Sequence, residues 1–170
     1  MNSSNIIFPL LYSDDSAKSL PSFRTALVQG FGYSRQHTEA HTIDRGKVVN
    51  DIEAAMYRHP SYQGDAASGY KIHYDIYSLG LVLLEIAEWR ALKDIVRIKW
   101  PHGKQQEFHE KEAIEMKRMV DRCVEQKLAF RVGTRYKEVV HWCLNLPGTV
   151  SSIDFYSKVL VPLEELTSRS

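Results

Sequence analysis

The residues that could perform chemistry match few of the spacings that known catalytic or metal sites require. His109 and Glu110 begin the zinc motif H-E-x-x-H, but the second histidine of that motif is missing. Cys123 and Cys143 form neither a C-x-x-C pair nor a disulfide framework, so we expect both to be core residues. The G-x-S-x-G elbow of Ser-His-Asp hydrolases does not occur. These patterns favour neither a metal site nor a hydrolase.

Two glycines flank an aromatic residue at Gly30-Phe31-Gly32. A dinucleotide-binding loop would need a third glycine and a surrounding βαβ unit, and the sequence pattern has neither. Taken alone, the motif is typical of a bulge or turn at the end of a strand.

Length and composition bound the class of protein. The 170 residues (19.6 kDa) suit one domain over 1–170, and 44% hydrophobic with 25% charged residues is the composition of a folded chain. A net charge of +1 argues against a nucleic-acid or anionic-membrane partner. No stretch approaches the roughly 20 apolar residues of a membrane span, and the N-terminal apolar run lacks the basic region of a signal peptide. We therefore expect a cytoplasmic protein.

The first half of the chain is polar and irregular, with two short extended segments. Residues 5–11 and 24–31 read as strands, and the polar residues 13–19 between them are typical of a turn. A short β-hairpin is predicted there. Residues 36–50 show no periodicity and are predicted to form a long loop.

The second half predicts a mainly α domain. Residues 76–87 are apolar on nearly every side, so a buried central helix is expected from about Asp75 to Trp89, with the Asp75 carboxylate as its N-cap. Four helices are expected around it, among them three amphipathic ones, and Pro162 should kink or restart the last of these. Their predicted core positions are Ala113, Met116, Val120, Cys123, Val124 and Leu128, then Tyr136, Val139, Val140, Cys143 and Leu144, then Ile153, Tyr156, Val159, Leu160 and Leu163.

The order of these elements resembles the large lobe of a protein kinase, and most of all the kinase-like domains of filamentous fungi. Tyr57-Arg-His-Pro60, followed by Asp75-Ile-Tyr-Ser-Leu-Gly80, carries the resemblance. In that family the segment before Pro60 closes the activation segment. Asp75, Ser78 and Gly80 match the D-x-x-S-x-G signature that opens the buried helix. The resemblance implies a helical bundle around that helix, with the short hairpin preceding it.

The resemblance also assigns ligand-binding positions in the first half. Asn5 takes the place of the asparagine that ends H-R-D-x-x-x-x-N, so it is the one residue implied to contact magnesium or nucleotide. Gly30, Phe31 and Gly32 take the place of D-F-G, and residues 36–50 resemble the activation segment.

Departures from the family indicate an inactive, pseudokinase-type lobe. Gly30 replaces the D-F-G aspartate and has no side chain that could ligate magnesium, a cation that needs oxygen ligands. If Asn5 is aligned correctly, the Gly-rich loop, the phosphate lysine and the catalytic-loop aspartate would all precede Met1. No catalytic residue is therefore expected within the sequence.

A further pair of family residues is also absent. The family's A-P-E sequence is replaced by His59-Pro60-Ser61, and residues 145–150 lack the arginine that pairs with its glutamate. Because an unpaired buried charge costs several kcal/mol, joint loss of both partners is physically coherent.

Two function classes follow from the resemblance. The first is a non-catalytic module that acts through protein–protein contacts and needs no cofactor. The alternative is the C-terminal part of an ATP- and magnesium-dependent Ser/Thr or Tyr kinase whose small lobe lies upstream. A truncated gene copy without a stable product is a third interpretation. Thr38 and Thr42 lie where relatives are phosphorylated, although ordinary solvated loop residues are the interpretation that the sequence favours.

The expected binding face lies on the predicted hairpin. A complete kinase covers these strands with its small lobe, so Ile7, Phe8, Leu10 and Phe31 should form an apolar patch that a protein partner or the missing small lobe covers.

Overall fold

The computed structural model describes residues 52–63, 71–97, 108–146 and 148–168, together with the backbone of four two-residue strands. These residues are mainly helical, as the sequence predicts. The fold statements below concern this part of the chain.

The strands form two antiparallel pairs. β1 (Ile6–Ile7) pairs with β4 (Leu27–Val28), and β2 (Leu10–Leu11) pairs with β3 (Leu20–Pro21). The second pair is nested inside the first, so the chain runs out through β1 and β2 and returns through β3 and β4. The β1–β4 pair joins the two segments from which the sequence predicts a hairpin, whereas β3 lies between the predicted turn and the second of these segments.

The central helix α2 spans Ile72–Glu88 and begins earlier than predicted. Its N-cap residue is Lys71, which has an extended backbone and makes no side-chain capping bond. Asp75 lies within the first turn and is exposed, so the prediction that it is the N-cap is wrong. The reason is packing: His73 and Tyr74 are buried and extend the helix toward its N-terminus. Asp75 still lies where a negative charge favours the helix dipole.

Burial of α2 agrees with the prediction over most of its length. Leu81 and Leu84 are 0% exposed and Leu83 is 8% exposed. Ile86 is an exception at 51%, so the helix is not enclosed on every side. It ends at Trp89, whose backbone is left-handed (φ 52°, ψ 38°).

The remaining helices pack around α2. The helix α1 and a 3₁₀ turn precede α2, and α3 to α8 follow it. One π-helical turn joins α4 to α5, and a second joins α7 to α8. Their bounds are α1 Ile52–Met56, 3₁₀ Pro60–Tyr62, α3 Leu92–Val96, α4 Glu110–Cys123, π Val124–Leu128, α5 Ala129–Val132, α6 Thr134–Leu144, α7 Ser152–Phe155, π Tyr156–Leu160 and α8 Val161–Thr167.

Two of the three predicted amphipathic faces are buried. On α4 and its π-helical turn, all but one of the predicted core positions are buried, the exception being the partly exposed Cys123. Of the predicted core positions on α6, only Tyr136 is partly exposed, and its hydroxyl donates a hydrogen bond to the Leu83 carbonyl of α2 at 3.0 Å. The buried residues are Ala113, Met116, Val120, Val124 and Leu128, with Val139, Val140, Cys143 and Leu144.

The last helical segment departs from its prediction. Val159 is buried, but Ile153, Tyr156 and Leu160 are 78%, 56% and 41% exposed. The α-helical spacing used for the prediction does not hold through a π-helical turn, which carries more residues per turn. That turn ends at Leu160, two residues before Pro162, whose ring cannot fit against the carbonyl four residues earlier in a regular α-helix.

Candidate functional site

Several predicted functional positions lie outside the described residues. The backbone of Ile7 and Leu10 is described, but their side chains are not. The other such positions are Asn5, Phe8, Gly30, Phe31, Gly32, Thr38, Thr42 and residues 36–50.

Ser78, at the serine position of the D-x-x-S-x-G signature, joins α2 to the segment before Pro60. Its Oγ lies 2.8 Å from the Tyr57 carbonyl oxygen and 3.0 Å from the Tyr74 carbonyl oxygen. The hydroxyl proton is therefore shared between the adjoining segment and the helix itself. Because Ser78 is only 5% exposed, its hydroxyl links the backbone at Tyr57 to that of α2 and is not accessible to a ligand.

Gly80, at the signature glycine position, permits close approach of α2 and α6. A Cβ at this position would lie 2.8 Å from the Cys143 Cβ and 3.1 Å from the Leu144 Cδ2. A Cβ–Cβ distance below 3.0 Å does not occur in relaxed structures, and the Cys143 Cβ is fixed to its backbone. The glycine is therefore a packing requirement of this helix pair.

The 3₁₀ turn at buried Pro60 is closed by His59. The His59 Nδ1 accepts a hydrogen bond from the Ser61 N–H at 3.1 Å. Burial, assisted by the charges of His73 and Lys117, lowers the pKa of His59 to about 4. The ring is thus neutral at physiological pH, and its proton lies on Nε2.

An aromatic cluster holds this turn against the start of α2. The His59 ring lies 5.5, 5.1 and 5.1 Å from those of His73, Tyr74 and Tyr77, and Tyr62 stacks on Tyr74 at 5.0 Å. Burial lowers the pKa of His73 and raises that of Tyr77 above its ordinary range. In both rings burial favours the uncharged form, which suits dense aromatic packing.

A buried carboxylate joins three elements nearer the middle of the core. The Glu85 Oε1 accepts hydrogen bonds from the Tyr57 hydroxyl at 2.6 Å and from the Leu92 N–H at 2.7 Å. The sequence shows Glu85 only as an interruption of an apolar run. That interruption is the signal from which a buried hydrogen-bonding centre could have been predicted.

The thiols are not activated for chemistry. Burial raises the pKa of Cys143 to about 12, and burial with the nearby Glu88 charge also raises that of Cys123. A thiol that stays protonated is a poor nucleophile and metal ligand. In the described part of the chain, no group of three or more His, Cys, Asp or Glu side chains is placed to hold a metal ion. No described helix is long and apolar enough to cross a membrane.

A shallow pocket of about 730 Å³ lies beside α6 and the last helical segment. Within it, Lys137 Nζ lies 2.5 Å from Glu125 Oε2, and His141 Nε2 lies 3.4 Å from Glu125 Oε1. The pocket is lined by charged groups of both signs, which also include Arg135, Glu138 and Lys158.

Among the residues that the structure describes, the most exposed aromatic side chains lie where α2 ends and on α5. Trp89 is 82% and Phe130 94% exposed. Glu88 precedes Trp89 and Arg131 follows Phe130, and these two neighbours contact each other. The Arg131 Nη2 donates to the Glu88 carbonyl at 3.4 Å, and the Arg131 Nη1 lies 3.5 Å from Glu88 Oε2. Each exposed aromatic residue is therefore next in sequence to one partner of a polar contact that joins α2 to α5. We take this end of α2 as the candidate binding surface.

No family model, curated protein or solved structure matches the chain. The kinase-like interpretation consequently rests on the sequence motifs and on the local geometry of their residues.

Proposed function

We propose that this chain is a non-catalytic, protein kinase-like large-lobe module that acts through protein–protein contacts. One observation carries the proposal: three of the four signature residues, all but the exposed Asp75, are committed to packing. Ser78 bonds the Tyr57 carbonyl, Gly80 contacts α6, and Pro60 is buried in the adjoining turn. This arrangement supports a scaffold in which the segment ending at Pro60 is fixed to a central helix.

The sequence supports the non-catalytic part of the proposal. Phosphoryl transfer depends on positioning and on neutralising phosphate charge, for which a kinase uses a metal-binding aspartate. Gly30 occupies that position and offers no carboxylate. Exposed Trp89 and Phe130 support the binding part, because large aromatic side chains are frequent anchors of protein interfaces.

A thermal-shift measurement with ATP and magnesium tests the proposal against the kinase alternative. A ligand at one hundred times its Kd stabilises a fold by about 2.7 kcal/mol, and each kcal/mol moves Tm by roughly 2–4 °C here. Tight nucleotide binding would therefore raise Tm by about 5–10 °C. We expect no shift at millimolar ATP–magnesium and no phosphate transfer to a generic acceptor protein, with an active kinase domain as positive control.

Two results would favour the kinase alternative. A clear Tm shift that disappears in Asn5→Ala would identify a nucleotide site and favour the kinase alternative. Incorporated phosphate would refute the non-catalytic proposal outright, even with Gly30 in the metal-binding position.

A further inference from the structure

We propose that the end of α2 and the adjoining α5 form a docking surface for an acidic peptide segment with apolar side chains. The proposal rests on the proposed function, whose partner class it names. We call this region the Trp89 surface and define it by Trp89, Arg90, Lys127, Phe130 and Arg131.

The polar contact between Glu88 and Arg131 joins the two elements of the surface, the end of α2 and α5. Arg131 on α5 meets both the carbonyl and the carboxylate of Glu88, the last residue of α2. Trp89 follows Glu88 directly, and Phe130 directly precedes Arg131. The two exposed aromatic residues are therefore held on elements that contact each other.

The backbone of Trp89 indicates a role other than stability. The residue ends α2 in the left-handed region (φ 52°), where glycine is the usual residue. Its N–H donates to the Glu85 carbonyl, a bond that any residue but proline could make. With 82% of the residue exposed, little burial offsets the unfavourable backbone. A strained, exposed tryptophan is better explained by binding than by folding.

The charges around this surface select the partner. Arg90, Lys127 and Arg131 all lie close enough to the Cys123 thiol to act on it electrostatically, as does the carboxylate of Glu88. Glu88 is buried and already paired with Arg131. Among the described residues, neither Arg90 nor Lys127 has a carboxylate within ion-pair distance. The local excess of positive charge therefore complements an acidic partner.

A peptide fits better than a nucleic acid or a membrane. Three cations on a chain whose net charge is +1 make a small basic cluster, whereas polyanion binding uses an extended basic face. Two exposed aromatic residues beside the cations require apolar groups in the ligand. Acidic residues alternating with Phe, Leu or Trp satisfy both requirements.

The test is selection of a random dodecapeptide display library on the immobilised full chain. We expect enriched sequences that combine Asp or Glu with Phe, Leu or Trp. The strongest peptide, labelled for fluorescence polarisation, should bind Trp89→Gly about tenfold or more weakly, the loss expected of an interface anchor. Because glycine suits the left-handed backbone, the Tm of this variant should be unchanged or higher, which separates lost binding from misfolding.

Charge-reversal variants test whether the positive charges of the Trp89 surface contribute to peptide binding. Arg90→Glu and Lys127→Glu should each weaken the peptide several-fold, and rising salt should do the same in wild type. Lys111→Glu, an equal charge change at an exposed site at the start of α4, is the matched control and should leave affinity within twofold.

Several outcomes would overturn the docking surface. These are no enrichment, enrichment of neutral or basic peptides, or a selected peptide that binds Trp89→Gly as tightly as wild type. Tighter binding of a single-stranded oligonucleotide or of phosphatidylserine vesicles than of the peptide would also overturn it. None of these results alters the ATP measurement, so failure of the surface is distinguishable from failure of the non-catalytic proposal.

Discussion

The two ends of α2 use aromatic residues in opposite ways. At the N-terminal end, Tyr74 and Tyr77 are buried against the His59 ring, which closes the turn at Pro60. At the C-terminal end, Trp89 is exposed on a left-handed backbone. At the first end the aromatic residues stabilise the fold by being buried. At the second end Trp89 is exposed although its left-handed backbone is unfavourable. The contrast identifies the C-terminal end as the place to look for a partner.

The largest effect is expected where α2 is packed most tightly, at Gly80→Ala. Alanine usually stabilises a helix interior by about 1 kcal/mol relative to glycine, but here its Cβ would lie 2.8 Å from the Cys143 Cβ. Overpacking should dominate, with a net loss of about 1–3 kcal/mol in the free energy of unfolding. Chemical denaturation would measure the loss.

The control for Gly80→Ala is Ile86→Ala on the same helix. Ile86 is 51% exposed, so its truncation should cost clearly less. Equal losses for the two variants would contradict the close contact between α2 and α6.

The interior of the helical part could be predicted from sequence because burial there follows the α-helical period. Met116 and Val120 on α4, and Val139 and Val140 on α6, are buried as the spacing predicts. The start of α2 could not be predicted from sequence. It depends on the packing of His73 and Tyr74 against the 3₁₀ turn at Pro60, and this contact is formed only in the folded chain. Propensity rules favour a carboxylate cap, and tertiary packing overrides them.

The candidate surface was less predictable for a different reason. A tryptophan after an apolar helix has the same sequence signature whether it is buried or exposed, and only the fold shows that Trp89 is 82% exposed. The last helical segment fails similarly, because Ile153 and Tyr156 fit a buried stripe yet remain exposed. Periodicity reports which residues share a helix face but not whether another element covers it.

An intermediate effect is expected from acid at the N-terminal end. The pKa of His59 is about 4 in the folded chain against about 6.5 when unfolded, so the unfolded state binds the proton first as pH falls. Stability contributed by neutral His59 is therefore complete above pH 6.5 and is lost progressively toward pH 4. Because solvent screens a half-buried ring, the loss should be about 1 kcal/mol.

The groups that face His59 are His73, Tyr74 and Tyr77 of α2 and Lys117 of α4. His59→Asn is the matched variant, since its amide oxygen can still accept the Ser61 N–H but does not titrate. Denaturation at pH 7 and pH 4.5 should show a smaller acid loss for the variant than for wild type. Identical pH dependence would mean that protonation of His59 has no part in acid unfolding.

The smallest effect, and the one of opposite sign, is expected at the C-terminal end of α2. Trp89→Gly removes the cost of a left-handed backbone at a non-glycine residue and should raise the free energy of unfolding by about 0.5–1 kcal/mol. Trp89→Ala removes the same side chain but keeps the backbone cost, so its Tm should stay below that of Trp89→Gly. If instead both variants fall below wild type by similar amounts, the indole packs on the fold and the contrast between the two ends of α2 is lost. If only the glycine variant rises, Trp89 is retained at the expense of stability, as a binding residue is expected to be.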